Sequence, residues 1–183
     1  MAGALPLPLG NRRRLRSGGL WALLLAALAL TGGALTGCSE PGYRDGLHAY
    51  EAGKYDKAAA IWEPLAQAGH MRAQHQLGNL YRGGLGVGRD PARSFRWMRR
   101  AAEQGHAPSQ FVLGYMLDEG LGVARDPARA FKWYRLAASS LESVPRRVEA
   151  RRHAERLAGE IGTQRREVMM AEVRAFSPRP EGE

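Results

Sequence analysis

Between residues 71 and 82 the apolar side chains fall at Ala73, Leu77, Leu80 and Tyr81, with polar residues filling most of the intervening positions. Steps of three and four place them on one stripe of a 3.6-residue helix, which predicts a helix from about Met71 to Arg82. Gly83 and Gly84 then stop it, since glycine is costly inside a helix and suited to the left-handed position after one. Asp90 followed by Pro91 marks the next start. The aspartate caps the first turn, and proline takes the first helical position, where its missing N–H costs nothing. This second helix turns Phe95, Met98, Ala101 and Ala102 toward its neighbour and ends near Gly105. Small residues at Gly78 and Ala101 allow a close approach, so the stretch reads as a helical hairpin.

The hairpin is repeated. Gly69-His70 recurs as Gly105-His106, Leu77-Gly78 as Leu113-Gly114, and Gly84-Leu85-Gly86-Val87 as Gly120-Leu121-Gly122-Val123. Arg89-Asp90-Pro91-Ala92-Arg93 returns unchanged as Arg125-Asp126-Pro127-Ala128-Arg129, and Phe95 and Trp97 return as Phe131 and Trp133. Every match has one offset, 36 residues, and more than half of the aligned positions from Gly69 to Ala102 are identical. A fixed period of this size is the signature of a solenoid.

The pattern Ala73-x3-Leu77-Gly78-x2-Tyr81, Gly84-x-Gly86-Val87-x2-Asp90, Phe95-x-Trp97-x3-Ala101-Ala102 resembles the Sel-one-like repeat family. That family is a cousin of tetratricopeptide repeats with a longer loop inside each hairpin. Two copies carry the resemblance, over 69–104 and 105–140, the second departing at Leu117, where the family has an aromatic. The resemblance implies an all-α solenoid of about three hairpins plus C-terminal capping helices. Upstream, Gly46, Ala49-Tyr50, Gly53, Tyr55 and Ala58, closed by Trp62, Leu65 and Ala66, fit a divergent tetratricopeptide-like hairpin over 44–68. Downstream, 141–176 reads as two charged capping helices, Arg146 to Glu160 and Gln164 to Phe176, with Thr163 the cap between them. Residues 177–183, rich in proline, glycine and charge, are expected to be a disordered tail.

The N-terminal 37 residues follow a different pattern. A basic stretch from Arg12 to Arg16 precedes an uninterrupted apolar run from Leu20 to Leu30, and small residues follow it. This is the layout of a secretory signal peptide, and the run is too short to span a bilayer, which takes about 20 residues. Leu35-Thr36-Gly37-Cys38 resembles the lipobox of bacterial lipoproteins. The resemblance implies a diacylglyceryl (palmitate-type) lipid on Cys38, cleavage just before it, and residues 38–43 as a short tether. Several acyl chains anchor a protein far more firmly than one. Ser39 stands where an aspartate would favour inner-membrane retention, so the expected location is the bacterial envelope, with the outer membrane facing the periplasm preferred.

Charge adds little to this picture. The net charge is +9, but Arg12, Arg13, Arg14 and Arg16 precede any acidic residue, and setting them aside leaves +5 on the helical part. No nucleic-acid-binding motif accompanies it, and nucleic acid is not an expected partner. Gly84-Leu85-Gly86-Val87-Gly88 is preceded by a helix rather than a strand, and position 88 becomes Ala124 in the second copy, so it reads as a hairpin loop needing positive φ, not a phosphate cradle. His70 and His106 share a repeat position and hence a turn role, and His153 reads as a solvated residue. No histidine or cysteine spacing fits a metal, no Gly-x-Ser-x-Gly elbow occurs, and no isolated acid pair suits glycan cleavage. No catalytic residue, metal or cofactor is therefore assigned.

The resemblance to tetratricopeptide repeats implies a concave face lined by the first helix of each hairpin. On that pattern its residues are His75, Asn79 and Arg82, then Phe111, Tyr115 and Asp118, with Leu47 and Tyr50, and Tyr43 as an addition, in the divergent unit. Each trio is spaced i, i+4, i+7 and shares a helix face. These positions differ between copies while the hairpin-building ones repeat. The expected function is a membrane-anchored, non-catalytic scaffold that holds an envelope protein or peptide in this groove. The alternative is a glycan-associated lipoprotein supporting polysaccharide export or cell-wall assembly, and coverage of Phe111 and Tyr115 by the C-terminal helices is the competing reading of the groove.

Overall fold

The computed structural model describes residues 40–182. The expected signal peptide, Cys38 and Ser39 lie outside the described residues. Among the described residues eight helices follow one another: α1 Glu40–Glu51, α2 Tyr55–Gln67, α3 Met71–Gly83, α4 Pro91–Glu103, α5 Ala107–Glu119, α6 Pro127–Ser140, α7 Val144–Ile161 and α8 Thr163–Ala175. Each packs on the next, and α8 folds back on α6. Among the described residues there is no strand, and no helix is long and apolar enough to cross a membrane.

Local chemistry sets the boundaries at equivalent points of the two repeats. Asp90 and Asp126 each accept a hydrogen bond from the backbone N–H three residues on, at 2.9 Å, with proline in the first turn. Gly84 and Gly120 close α3 and α5 in the left-handed conformation, both at φ +70°. The glycine two residues later has a second reason to be glycine. A Cβ on Gly86 would lie 2.2 Å from the Asp56 nitrogen, and one on Gly122 would lie 2.2 Å from the Pro91 carbonyl oxygen. Each loop thus rests on the start of the second helix of the preceding hairpin, a contact only a bare Cα permits.

The core is filled by the predicted stripe. Ala73, Leu77 and Leu80 are fully buried, as are Met98, Ala101 and Ala102 on the facing helix. A Cβ on Gly78 would come within 3.0 Å of Met98, and one on Gly114 within 3.1 Å of Tyr134. These small residues set how closely the two helices of a hairpin approach. Trp62 is fully buried, its indole N–H donates to the Tyr43 carbonyl at 3.2 Å, and a Cβ on Gly46 would collide with its ring. Trp133 is buried and Trp97 only partly so, with the Arg100 guanidinium over its ring.

Several expectations need correction. The tether predicted over 38–43 overlaps α1, because Tyr43 is a core residue that stacks on Trp62 and His70 and draws the helix upstream. The break between the capping helices is at Gly162, φ +75°, and Thr163 is the first residue of α8 rather than its cap. His153 is not simply solvated: it stacks on Tyr134 with ring centres 4.8 Å apart. The residues after Phe176 also have defined partners. Arg179 donates its backbone N–H to the Glu103 carbonyl at 3.0 Å, and the Glu181 carboxylate accepts from the Met71 N–H at 3.1 Å. Both partners sit at helix ends, where backbone groups lack intrahelical partners, and this gives a proline-rich segment something to bind.

Candidate functional site

Helices α3 and α5 lie in adjacent hairpins, and a chain of hydrogen bonds joins them. Arg82 donates to the Asn79 side-chain carbonyl at 3.2 Å, and the Asn79 amide donates to His75 Nε2 at 3.0 Å. His75 Nδ1 lies 2.8 Å from Ser109 Oγ, and Ser109 Oγ lies 2.8 Å from His106 Nδ1. The order of donors fixes the protons. With Nε2 accepting from Asn79, the His75 proton is on Nδ1 and is donated to Ser109; the hydroxyl then donates to His106 Nδ1. His106 therefore carries its own proton on Nε2. Both rings are neutral. Burial, then His106, Arg82 and Arg146, push His75 down to about 3, while burial and Arg72 push His106 down to about 4.

Ser109 is fully buried, so its hydroxyl fastens two hairpins rather than facing a substrate. His70 and His106 both precede the first residue of their helices, as the repeat predicts, but they use that position differently. His70 accepts the Ala73 N–H at 3.2 Å, whereas His106 makes no backbone cap and gives its Nδ1 to Ser109.

Of the eight residues assigned to the groove, the structure brings His75, Asn79 and Arg82 into this network. Arg82 and Tyr115 are exposed, Tyr115 at 39%. Phe111 packs edge-on against Tyr134 at 5.4 Å and His153 at 6.1 Å, so α7 covers much of it. Asp118 is buried. Its carboxylate pairs with Arg156 from α7 and lies 3.5 Å from Arg125, whose Nε–H donates to the Asp118 backbone carbonyl at 2.7 Å. Arg125 also forks onto Glu160 at 2.7 and 2.9 Å. Leu47 and Tyr50 turn into the first hairpin, with Tyr50 against Tyr55 and Trp62.

Sequence reasoning missed Ser109, His106, Arg125 and Arg156. One signal for Ser109 was available: it stands 36 residues after Ala73, a polar residue at a core position of the repeat. Among the described residues no group of three or more histidine, cysteine or acidic side chains is arranged to hold a metal ion.

Residues 72–106 and 107–140 each match the Sel1 repeat. The chain is also similar to the crystal structure of c5321, a protective antigen present in uropathogenic Escherichia coli strains displaying an SLR fold. That likeness has a TM-score of 0.65 and 28% identity, and covers 74% of this chain and 29% of that one. A Sel1 repeat protein from Oxalobacter formigenes is similar at 36% identity and a TM-score of 0.45, over 46% of this chain and 65% of that one. The chain thus spans less than two thirds of either protein. No curated protein is similar at a significant level. The two matched repeats, the repeated hairpin geometry and the likeness to an SLR-fold structure support a Sel1-like repeat protein, an all-α helical-hairpin solenoid of the kind that suggests a protein-interaction scaffold.

Proposed function

We propose that the chain is a non-catalytic scaffold, held at the bacterial envelope by a lipid on Cys38, that binds an acidic protein segment on the α3–α5 face. One observation carries the reading. The Arg82–Asn79–His75–Ser109–His106 chain immobilises polar side chains of two adjacent hairpins and leaves Arg82 and Tyr115 exposed beside them. Pre-ordered polar groups next to an exposed aromatic cost a partner little ordering entropy. The charge around His75 is positive, since Arg82 and Arg146 both act on it, while Asp118 is neutralised by Arg156 and Arg125 and the exposed Glu119 lies a turn beyond Tyr115 at the far end of the face. An acidic segment complements that field.

Envelope affinity purification tests the reading. The wild type is compared with a triple variant (Asn79→Ala, Arg82→Glu, Tyr115→Ala) and with Cys38→Ala. A defined protein retained by the wild type, lost from the triple variant and absent from the membrane fraction of Cys38→Ala is the expected result. Identical partner sets for the wild type and the triple variant would remove the face from consideration. Retention on polysaccharide with no protein partner would favour the glycan-associated alternative instead.

A further inference from the structure

The segment after α8 runs as a strap across the turns that join successive hairpins, irregular through Pro180 and turning at Glu181 and Gly182. Phe176 meets the Trp133 ring edge-on at 5.9 Å. Pro178 covers Gly105, where a Cβ would come within 3.1 Å of it. Arg179 binds Glu103 twice, by its backbone N–H to the carbonyl at 3.0 Å and by its guanidinium to the carboxylate at 3.0 Å. Glu181 accepts from the Met71 N–H at 3.1 Å, and Gly182 lies on Gly69, where a Cβ would fall 2.4 Å from its nitrogen.

These contacts follow the repeat. Gly69 and Gly105 are equivalent positions 36 residues apart, both at positive φ, and each leaves a bare patch of backbone that one strap residue covers. Pro178 and Gly182 are four residues apart, and four extended residues reach at most about 14 Å, enough to step from one turn to the next. The strap also supplies a donor to the open carboxyl end of α4 and an acceptor to the open amino end of α3. Those are the helix-end groups that lack intrahelical partners. Beyond the contacts of Phe176 and Pro178, the strap docks through backbone groups and the charged ends of Arg179 and Glu181, which another peptide with the same order of residues can supply.

We propose that this row of turns is a second peptide-docking track, distinct from the α3–α5 face. Its ligand is an extended peptide carrying an aromatic residue, an arginine three residues on, and a carboxylate two residues after that. The chain's own Phe176–Gly182 is the resident occupant, and a partner peptide binds by displacing it. The tail is present at the high effective concentration of a tethered ligand, so it shields the track from weak competitors.

The test uses the full chain carrying Phe176→Ala, Arg179→Glu and Glu181→Lys, which leaves the track intact but removes the strap's contacts. The probe is a fluorescent peptide of the wild-type sequence 175–182. It binds this variant at least about tenfold more tightly than it binds the wild type, whose own tail competes. Adding Glu103→Arg to the variant abolishes binding, and a peptide carrying Arg179→Glu restores it. Equal affinity for the wild type and the tail variant, or binding to neither, overturns the proposal. Hydrogen exchange provides an independent readout. The Met71 amide exchanges faster in the tail variant while the Leu77 amide stays protected, which also shows that the fold is intact. An unchanged Met71 rate overturns the proposal as well.

Discussion

His75 and His106 share one hydroxyl, each with its Nδ1 2.8 Å from Ser109 Oγ, and the arrangement works only while both rings are neutral. Protonating His106 at Nδ1 turns the acceptor of the Ser109 hydroxyl into a second donor. Protonating His75 at Nε2 sets it against the Asn79 amide, whose carbonyl end is already held by Arg82. Two helices from different hairpins are thus joined through a proton arrangement.

The pH dependence of stability follows from that. In the unfolded chain both histidines titrate near 6.5, and in the fold they titrate near 4 and 3. Between these values the unfolded state binds more protons, so stability is full above about pH 6.5 and falls as the pH drops toward 4 and below. The loss is on the order of a few kcal/mol, because one pKa unit corresponds to ~1.4 kcal/mol and the rings are partly solvated. Thermal melts from about pH 7 to about pH 4 should show a clearly shallower decline for the His75→Gln, His106→Gln double variant than for the wild type. Parallel declines would mean that the pair does not titrate with folding.

Removing the shared hydroxyl is the sharper probe at neutral pH. Ser109→Ala leaves the His75 Nδ1–H without its acceptor and His106 Nδ1 without its donor, at a cost of ~1–3 kcal/mol for buried polar groups left unpaired. Alanine is the residue at the equivalent Ala73, so the backbone tolerates it. A melt that does not move would show that water or a rearranged Asn79 replaces the hydroxyl.

The glycines separate geometry from composition. Gly122→Ala combines a positive φ with a Cβ 2.2 Å from the Pro91 carbonyl, and should cost ~2 kcal/mol or more. Gly88→Ala meets nothing within 4 Å, and its counterpart in the second copy is already Ala124, so stability should change by no more than ~0.5 kcal/mol. Urea denaturation of the two single variants makes the comparison. Equal midpoints would argue against the loop resting on the preceding hairpin.

Features that recur every 36 residues were legible in the sequence because they are local: a capping Asp-Pro, a left-handed glycine, an apolar stripe. The surroundings of the residues assigned to a groove were legible only where the next helix belonged to another repeat. Arg82 and Asp118 occupy equivalent positions, yet Arg82 is exposed, while Asp118 is buried because α7 brings Arg156 over it. Nothing in the repeat encodes α7, so the fate of its neighbours had no periodic signal. Leu47 and Tyr50 lie in a divergent unit whose interior is filled by Trp62, and that ring draws Tyr50 inward. The tail had a composition associated with disorder, but its partners are backbone ends of distant helices, which hydropathy does not register.

Asp118 gives a direct test of the covering helix. Asp118→Ala leaves Arg156 without its buried partner and exposes the α5–α7 seam, costing ~1–3 kcal/mol. The half-exposed pair between Arg125 and Glu160 is screened by solvent and worth less, so Glu160→Ala should cost clearly less than Asp118→Ala. Chemical denaturation of both variants ranks the two. The reverse ranking would place the main α5–α7 linkage at the rim rather than at Asp118.

Trp133 and Trp97 occupy the same repeat position but do different work. Trp133 is 8% exposed and receives Phe176 against its ring, whereas Trp97 is only partly buried under the Arg100 guanidinium. Truncating a buried tryptophan costs ~3–5 kcal/mol, and a partly exposed one less, so Trp133→Ala should lower stability well beyond Trp97→Ala. The two also differ in reach. Losing the Trp133 ring removes the aromatic anchor of the strap, so Met71 amide exchange should quicken in Trp133→Ala and stay unchanged in Trp97→Ala. Trp133→Phe, which keeps a ring for Phe176, should recover much of the protection. If Met71 exchange ignores all three variants, the strap is held by Arg179 and Glu181 alone, and Phe176 belongs to the core of the capping helices.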